Sequence, residues 1–244
     1  MEGGHICVVL LLSSRYICIR FSTEMYPFEI GSKIVVAATS GGGKTSWAMK
    51  LIRFRKEMFP EEPPEKIMIC YVVFQKLYRE IQKEIPEIVF KYGLPTKDEL
   101  IELSGGGEVK HSLLLVDDLM SELSNSKEME ELFVTLAHHR KITCLFLTQN
   151  VFYQGKYSRT ISLNTWYFVI LSVRRDIRQL KLLGSQILGG GVTTKAFIKA
   201  YEDTQKEKYG YLLVDVSPHS IKKHMLRTNI FPDDPPTIIY VLRE

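Results

Sequence analysis

The feature that most constrains this chain is a glycine-rich segment between an apolar run and a helical pattern. Residues 34–37 are apolar, and the eight residues Ala-Thr-Ser-Gly-Gly-Gly-Lys-Thr follow at positions 38–45. A strand, a glycine-rich turn, Gly-Lys-Thr and a helix, in this order, are typical of the P-loop, which binds the phosphates of a nucleoside triphosphate. Glycine lets backbone N–H groups approach phosphate oxygens because it has no Cβ. The alternative is a glycine-rich loop that binds no ligand.

The residues of this segment have separate expected roles in binding ATP and Mg²⁺. We predict that Lys44 contacts the β- and γ-phosphates and that the Thr45 hydroxyl binds Mg²⁺. The start of the following helix adds a partial positive charge. Position 38 departs from the usual pattern, because it is alanine where glycine is expected. The residues predicted to bind the nucleotide are Ser40, Gly41, Gly42, Gly43, Lys44, Thr45 and Ser46.

A second motif places two carboxylates after a buried strand. Residues 113–116 are Leu-Leu-Leu-Val, typical of a parallel strand buried on both faces, and Asp117 and Asp118 follow. Ligands of open α/β sheets bind at the carboxyl ends of the strands, so this pair is expected to face the P-loop. We expect Asp117 to hold Mg²⁺ through water, as a Walker B aspartate, and Asp118 to polarise the attacking water. Taken alone, the pair is equally compatible with a solvated turn that caps the next helix.

A third polar site follows the apolar run 142–147, which predicts another buried strand. Thr148, Gln149 and Asn150 end this run. A glutamine at a strand end beside the P-loop can sense the γ-phosphate. Capping of the next turn is the other interpretation of Gln149.

Length and composition favour one large α/β domain. The chain has 244 residues, of which 45% are hydrophobic and 25% charged, as in ordinary soluble globular proteins. We predict a P-loop ATPase domain over residues 26–232, an N-terminal extension of uncertain role over 1–25, and a C-terminal tail over 233–244. The apolar run 6–12 is too short to span a bilayer. It is either an extra strand or lies upstream of a functional start at Met25.

Charge and cysteine content set wider limits on partners and location. The net charge of +4 is compatible with an anionic partner without demonstrating one. The four cysteines, Cys7, Cys18, Cys70 and Cys144, form no CxxC pair and no zinc-like spacing. Cys70 and Cys144 fall inside apolar runs, which predicts buried thiols in an intracellular, reducing setting. We expect a soluble protein with no membrane partner.

The remaining pattern alternates strands and helices. A polar loop is expected over 154–159, and the residues from Arg174 onward read as a basic amphipathic helix that includes Arg175, Arg178 and Lys181. This helix is either a solvated face or a contact for DNA phosphates or a neighbouring subunit. Further strands are predicted at 33–38, 67–73, 88–90, 167–172 and, as the last strand, 209–215; helices are predicted at 75–85 and 195–201.

The ordered set of motifs resembles the FtsK–HerA superfamily of DNA-pumping ATPases. Within it, the motifs are most similar to the DNA-packaging ATPases of poxvirus-like and Polinton/adintovirus-like elements. The resemblance covers roughly residues 26–232. It is carried by Ser-Gly-Gly-Gly-Lys-Thr at 40–45, Leu-Val-Asp-Asp-Leu-Met at 115–120, His-His-Arg-Lys at 138–141 and Leu-Thr-Gln-Asn at 147–150, with further matches at 155–156, 159–164, 209–212 and 226–229.

The resemblance implies a fold, an activity and partners. The fold is an α/β P-loop NTPase of the RecA/FtsK-like, additional-strand class, with a mostly parallel central sheet flanked by helices. One strand would lie between the P-loop strand and the Asp117 strand. The activity is ATP hydrolysis coupled to translocation of double-stranded DNA into a capsid by a homo-oligomeric ring. A capsid or portal protein is the further partner, and the host-cell nucleus or a virus assembly site is the expected location.

The resemblance also implies roles for single residues. Lys44, Asp118 and Gln149 are expected to be catalytic, and Thr45 and Asp117 to hold the metal. Many relatives have glutamate at the position of Asp118, which is one methylene shorter. Arg140 is the first candidate for an arginine finger that acts on a neighbour's ATP, and Arg159 is the second.

Two other functions remain open at the level of sequence. One is a small-molecule kinase on the same P-loop scaffold, although no arginine-rich lid or acceptor pocket is evident. The other is a nucleotide-gated assembly protein that binds ATP without useful turnover. The presence of Lys44, Thr45, Asp117 and Asp118 argues against the latter, because these residue types bind phosphate and Mg²⁺ and polarise water for hydrolysis.

Overall fold

The computed structural model of the chain describes residues 11–12, 16–21, 27–152, 156, 158–173 and 177–242, and the strands of these residues form one 11-stranded sheet. The strands are β1 (Leu11–Leu12), β2 (Tyr16–Phe21), β3 (Lys33–Ala37), β4 (Lys66–Tyr71), β5 (Val89–Tyr92), β6 (Ser112–Asp117), β7 (Ile142–Thr148), β8 (Tyr167–Ile170), β9 (Leu212–Asp215), β10 (Leu226–Thr228) and β11 (Thr237–Leu242).

Helices connect most of these strands. The helices are α1 (Lys44–Arg53), α2 (Arg55–Met58), α3 (Lys76–Glu84), α4 (Lys97–Leu103), α5 (Met120–Asn125), α6 (Lys127–Glu131), α7 (Ala137–His139), α8 (Ser158–Leu163), α9 (Ile177–Leu188) and α10 (Val192–Thr204). A π-helical segment, Leu132–Leu136, joins α6 to α7, and a 3₁₀ turn, Lys222–His224, precedes β10. No helix among the described residues has the length and apolar character needed to cross a membrane.

The centre of the sheet is parallel. The full strand order is β1-β2-β11-β10-β9-β8-β3-β7-β6-β4-β5. The six strands from β8 to β5 pair in parallel, whereas β9, β10, β11, β2 and β1 extend the sheet by antiparallel pairs. Because β7 lies between β3 and β6, the strand order has the additional-strand arrangement that the resemblance implies.

Both faces of the sheet are covered, which explains the continuous apolar runs of the central strands. Every residue of β3, β6 and β7 is buried. Alternate side chains point to opposite faces, so Ile34 and Val36 pack with α1, α2 and α3, while Val35 and Ala37 pack with α4, α5, α9 and α10. Close packing of α9 on α10 depends on Gly184, where a Cβ would lie 2.8 Å from the Phe197 ring.

The outer strands correct two sequence predictions. The strand Leu212–Asp215 is shorter than predicted and is not the last one, because β10 and β11 follow it. Strand β11 lies within the predicted tail and pairs over six residues with β2, which lies within the predicted extension. Such pairing joins residues more than 200 positions apart, so local sequence patterns do not reveal it.

The prediction of buried cysteines is confirmed within the described ranges, and the prediction of a loop over 154–159 is corrected there. Cys70 and Cys144 are buried free thiols, and burial raises the pKa of each to about 12. The predicted loop over 154–159 is wrong at its end, because Arg159 lies in the first turn of α8. The rest of that loop, like Arg174 and Arg175, lies mostly outside the described residues.

The amino-terminal edge of the parallel strands holds a closed polar network around His111. His111 Nδ1 donates to the Glu62 carbonyl oxygen at 2.5 Å, and its Nε2 accepts from Thr143 Oγ1 at 2.9 Å. The Glu62 carboxylate accepts from the His111 N–H and from Lys141 Nζ at 2.9 and 2.7 Å. The backbone N–H of Gly31 donates to Thr143 Oγ1. Each polar group in this network is therefore used within the protein.

Candidate functional site

The carboxyl ends of β3, β6 and β7 meet at a cavity of about 660 Å³. Parallel strands bring these ends to one edge of the sheet, although they are far apart in sequence. All of the residues predicted from the three motifs line this cavity. They are Ser40, Gly41, Gly42, Gly43, Lys44, Thr45 and Ser46 from the loop, Asp117 and Asp118 after β6, and Gln149 after β7.

The loop needs glycine at three successive positions for two different reasons. Gly41 and Gly43 have φ values of 72° and 97°, in the left-handed region that side chains with a Cβ rarely adopt. Gly42 lacks space, because a Cβ there would lie 2.8 Å from the Ala38 methyl and 2.9 Å from the Thr39 carbonyl oxygen. Gly43 is also the N-cap of α1, so the loop leads directly into the N-terminus of that helix.

The alanine at position 38 is accommodated by the loop. Ala38 is buried, and its methyl packs beside Gly42, which has no side chain to oppose it. The Ala38 carbonyl oxygen accepts a hydrogen bond from Lys44 Nζ at 2.9 Å. The departure from the usual motif therefore changes the packing of the loop and leaves the lysine in the cavity.

Lys44 lies in an electrostatic setting suited to an anionic ligand. Burial lowers the pKa of its ammonium, and the nearby carboxylates of Asp117 and Asp118 oppose this shift. Phosphate oxygens would add negative charge beside the same group, which favours its charged form.

Two side chains of the β4–α3 segment hold Asp117. Its Oδ2 accepts a hydrogen bond from the Tyr78 hydroxyl and another, at 2.7 Å, from Gln75 Nε2. Tyr78 is buried, and its ring lies against Phe74 and Phe90. Burial raises the pKa of Asp117, and the bond from Tyr78 opposes this shift. The orientation of the carboxylate is thus fixed by the fold before any ligand binds.

The residues at this edge fit a magnesium ion of the P-loop type. Both bonds from the β4–α3 segment reach Oδ2 of Asp117, so Oδ1 is the oxygen that can face the cavity, where the Thr45 hydroxyl also lies. Mg²⁺ prefers oxygen ligands and usually keeps several waters, with one or two carboxylates and substrate phosphates. No cluster of three or more His, Cys, Asp or Glu side chains able to hold a metal occurs within the described ranges.

Two acidic side chains follow β6 at the cavity. Asp118 has a φ of 59°, and its backbone N–H donates to the Leu147 carbonyl oxygen at 3.2 Å, which joins the turn to β7. Glu122 lies one helical turn further along, in α5, and lines the same cavity. With Asp117 at the end of β6, the cavity therefore has three acidic side chains, and Glu122 is the one that the motifs do not include.

Sequence reasoning missed four side chains at the site: Gln75, Tyr78, Glu122 and Tyr209. Gln75 and Tyr78 follow β4, whose position beside β6 becomes known only with the strand order. Glu122 had a local signal, since it follows Asp118 by four residues. Tyr209 lies between α10 and β9 and reaches the loop through the tertiary fold.

The two candidate arginine fingers lie away from this cavity. Arg140 follows α7 and precedes β7, so it lies toward the amino-terminal edge, where its guanidinium donates to the Gly106 carbonyl oxygen at 2.5 Å. Arg159 is exposed on α8. Neither belongs to the described residues that line the cavity. A finger acts on the site of a neighbouring subunit, so both roles stay predictions.

Comparison with known proteins gives a match at the level of fold. No protein-family model matches the sequence, and no curated protein matches it. The structure is similar to B204, the DNA-packaging ATPase from Sulfolobus Turreted Icosahedral Virus, with 15% identity, a TM-score of 0.50 and coverage of 78% of this chain and 94% of that one. It is also similar to the genome packaging NTPase B204 from Sulfolobus turreted icosahedral virus 2 in complex with sulfate, with 14% identity, a TM-score of 0.52 and coverage of 78% and 93%.

The strand order, the loop geometry and these matches agree on the fold class. The chain has a P-loop NTPase fold. Its sheet is parallel at the centre and flanked by helices, as the sequence predicts. Matches near 15% identity identify the fold alone, so the narrower resemblance to the FtsK–HerA superfamily stays a prediction.

Proposed function

We propose that this protein is an ATP-hydrolysing motor that translocates double-stranded DNA and packages a viral genome into a capsid. The observation that carries the proposal is the single cavity that unites the glycine loop, Asp117 and Gln149 at the ends of β3, β6 and β7. The similar B204 structures are described as packaging ATPases or NTPases, which supports this choice among the functions of the fold.

Binding of the triphosphate is assigned to the loop and to the start of α1. The backbone N–H groups of the loop and the helix N-terminus would surround the phosphates, because both present partial positive charge. Lys44 would leave the Ala38 carbonyl and contact the β- and γ-phosphates. The Thr45 hydroxyl and the water shell of Asp117 would hold Mg²⁺, which neutralises charge that develops on the phosphate oxygens.

Activation of the attacking water is assigned to Asp118. A carboxylate at this position can accept a hydrogen bond from water and orient it toward the γ-phosphate. Gln149 lies at the end of the neighbouring strand and lines the same cavity, so its amide can detect whether the γ-phosphate is present.

Completion of the site is assigned to a neighbouring subunit. An arginine from the adjacent protomer would stabilise the charge of the transition state, and such fingers raise turnover by about 10³–10⁵. Arg140 is the first candidate and Arg159 the second. An isolated subunit should therefore be a poor ATPase, and assembly into a ring should activate it.

DNA binding is assigned to the α9–α10 pair. Arg178 and Lys181 of α9 and Lys195 and Lys199 of α10 are exposed. Lysine and arginine bind the DNA backbone without reading its sequence, which suits a motor that moves along any duplex. A capsid or portal protein would be the partner to which the ring attaches.

A triplex-displacement experiment tests translocation directly. Linear duplex DNA carrying a labelled third strand is mixed with the protein, Mg²⁺ and ATP, and release of the third strand is followed. We expect release with ATP and none with a non-hydrolysable analogue or with Lys44→Ala. ATP hydrolysis without displacement on any duplex would contradict the motor function.

A further inference from the structure

A second cavity adjoins the phosphate site, and a single tyrosine lines both. This cavity has a volume of about 330 Å³ and lies between the 207–211 turn and the 234–236 segment. Its walls include Tyr209, Asn229, Pro235 and Pro236. Tyr209 also lines the cavity of the glycine loop. A ligand with its phosphates on that loop can therefore extend past Tyr209 into the second cavity.

The backbone around Tyr209 directs its ring onto the loop. Tyr209 has a φ of 62°, which is rare for a bulky side chain. The next residue must be glycine, because a Cβ on Gly210 would lie 1.8 Å from the Thr204 carbonyl oxygen. A Cβ on Gly43 would lie 3.0 Å from Tyr209 Cδ1, so the ring lies directly against the P-loop. A strained backbone conformation of this kind persists only where the surrounding structure enforces it, and such residues cluster at ligand sites.

The ring remains accessible although it contacts the loop. Tyr209 is 58% exposed, and the group over its face is the ammonium of Lys208, at 5.2 Å from the ring centroid. Lys208 is itself an exposed, long side chain that a flat ligand can displace. An exposed aromatic face beside a phosphate site is a stacking surface for a nucleobase.

The opposite wall of the second cavity is rigidly attached to the P-loop helix. Lys50 of α1 binds Asp233 and Asp234 at 2.7 and 2.5 Å. Asp234 also accepts hydrogen bonds from the Tyr211 hydroxyl and from the backbone N–H of Phe231, each at 3.1 Å. The prolines that follow Asp234 are thus held at a fixed distance from the loop.

We propose that the second cavity binds the base of the nucleoside triphosphate, with Tyr209 as its stacking surface. Pro235 and Pro236 form an apolar wall. The Asn229 amide, whose Oδ1 also accepts a hydrogen bond from the Thr228 hydroxyl at 3.5 Å, offers N–H donors and an oxygen acceptor to the edge of a base. This inference rests on the proposed function, because it takes the first cavity to hold the triphosphate. It adds the residue that distinguishes a nucleotide from a simple polyphosphate.

The test compares how tightly the full chain binds ATP and inorganic tripolyphosphate, both with Mg²⁺. Tyr209→Asn removes the ring, and asparagine tolerates the left-handed backbone at this position. Tyr209→Phe keeps the ring. Tyr92→Asn is a matched control, because it removes another exposed tyrosine from β5 at the far end of the sheet.

We expect wild-type protein to bind ATP more tightly than tripolyphosphate. Tyr209→Asn should weaken ATP binding roughly 5- to 150-fold, the effect of losing one stacked base, and should weaken tripolyphosphate binding much less. Tyr209→Phe, which keeps the ring, should retain the preference for ATP that Tyr209→Asn loses, and Tyr92→Asn should bind both ligands as wild type does. An equal loss for both ligands in Tyr209→Asn, or no loss for ATP, would overturn the base site.

The wild-type comparison keeps the inference separate from the proposed function. Equal affinity for ATP and tripolyphosphate would overturn the base site and leave the phosphate site intact. Preferential ATP binding without DNA translocation would overturn the proposed function and leave the base site standing. A chain that binds neither ligand would overturn both.

Discussion

The two edges of the parallel sheet use polar residues in opposite ways. At the amino-terminal edge, His111, Glu62 and Thr143 bond to one another, so their polar groups are consumed by the fold. At the carboxyl-terminal edge, the side chains of Lys44 and Asp118 line an open cavity. The difference indicates that polar residues stabilise the domain at one edge and remain available to a ligand at the other.

Asp117 combines both uses in one side chain. It is only 5% exposed, and one of its oxygens is held by Gln75 and Tyr78. Its carboxylate nevertheless lines the cavity. The fold therefore satisfies one oxygen to fix the orientation of the other, as supporting residues around metal ligands commonly do.

The largest expected effect tests whether the amino-terminal edge has a catalytic role in addition to its structural one. Arg140 lies toward the amino-terminal edge, yet it is the first candidate for a finger that acts on a neighbour. We expect Arg140→Ala subunits, mixed into wild-type rings, to lower hydrolysis at the adjacent wild-type sites by about 10³–10⁵. Hydrolysis is measured as a function of the mixing ratio.

Arg159→Ala is the matched control for that experiment. If Arg140→Ala subunits leave the wild-type sites active and Arg159→Ala subunits do not, Arg159 is the finger. In that outcome, the bond from Arg140 to the Gly106 carbonyl is its main role, and the amino-terminal edge is purely structural.

Asp118→Asn tests the carboxyl-terminal edge. The change keeps the shape of the side chain but removes its ability to take up a proton, so hydrolysis should fall about 10²–10⁴-fold with ATP binding retained. Single-turnover hydrolysis and ATP affinity are measured separately. Glu122→Gln, the same change on the acidic residue that α5 contributes to the cavity, is the control. Full activity of Asp118→Asn together with loss in Glu122→Gln would move the base to Glu122.

His111→Ala tests the amino-terminal edge. It removes a buried ring and leaves the Glu62 carbonyl and Thr143 hydroxyl without their partner, so the free energy of unfolding should fall by about 3 kcal/mol. ATP affinity should not change. Denaturant unfolding and nucleotide titration check the two statements. A loss of ATP affinity without a loss of stability would contradict the division between the edges.

The same network predicts a pH dependence of stability. Burial lowers the pKa of His111 below its usual value of 6.5, so the unfolded chain binds a proton more readily than the folded one. The contribution of His111 to the free energy of unfolding should therefore be constant above about pH 6.5. It should be lost as the pH falls from about 6.5 toward the folded-state pKa. His111→Ala should lack this part of the slope. An unchanged slope in the variant would assign the pH dependence to other groups.

Tyr78→Phe gives the smallest expected effect and tests the position of Asp117. The ring stays in its aromatic cluster, while the hydrogen bond to Oδ2 is lost and that of Gln75 remains. Loss of such a supporting bond should weaken Mg²⁺ binding about 10-fold. The measurement is the Mg²⁺ concentration required for half-maximal ATP binding. An unchanged requirement would mean that the fold holds Asp117 without this bond.

Local motifs explain why much of the site was predictable. The glycine loop and the Asp117–Asp118 pair each combine a strand with the polar residues directly after it, so sequence shows both the element and the side chain. The resemblance implied one strand between the P-loop strand and the Asp117 strand without identifying it, and the strand order shows that this strand is β7. The parallel centre of the sheet was predictable for the same reason.

Long-range contacts explain what sequence could not show. Tyr78 reaches Asp117 across 39 positions, and Tyr209 reaches Gly43 across the whole domain. The buried ion pair between Asp215 and Arg227 joins β9 to β10, a strand that was not predicted. Each contact depends on which strands are neighbours, and that order is a property of the folded chain.

We propose that ATP is hydrolysed at the carboxyl-terminal edge of the sheet, and that a neighbouring subunit completes this site when the protein is bound to DNA. The most direct measurement is the rate of ATP hydrolysis per subunit across a range of protein concentrations, with and without linear double-stranded DNA. We predict a rate that rises with protein concentration, reaches a plateau and is higher with DNA. A rate per subunit that is constant with concentration and indifferent to DNA would contradict the account.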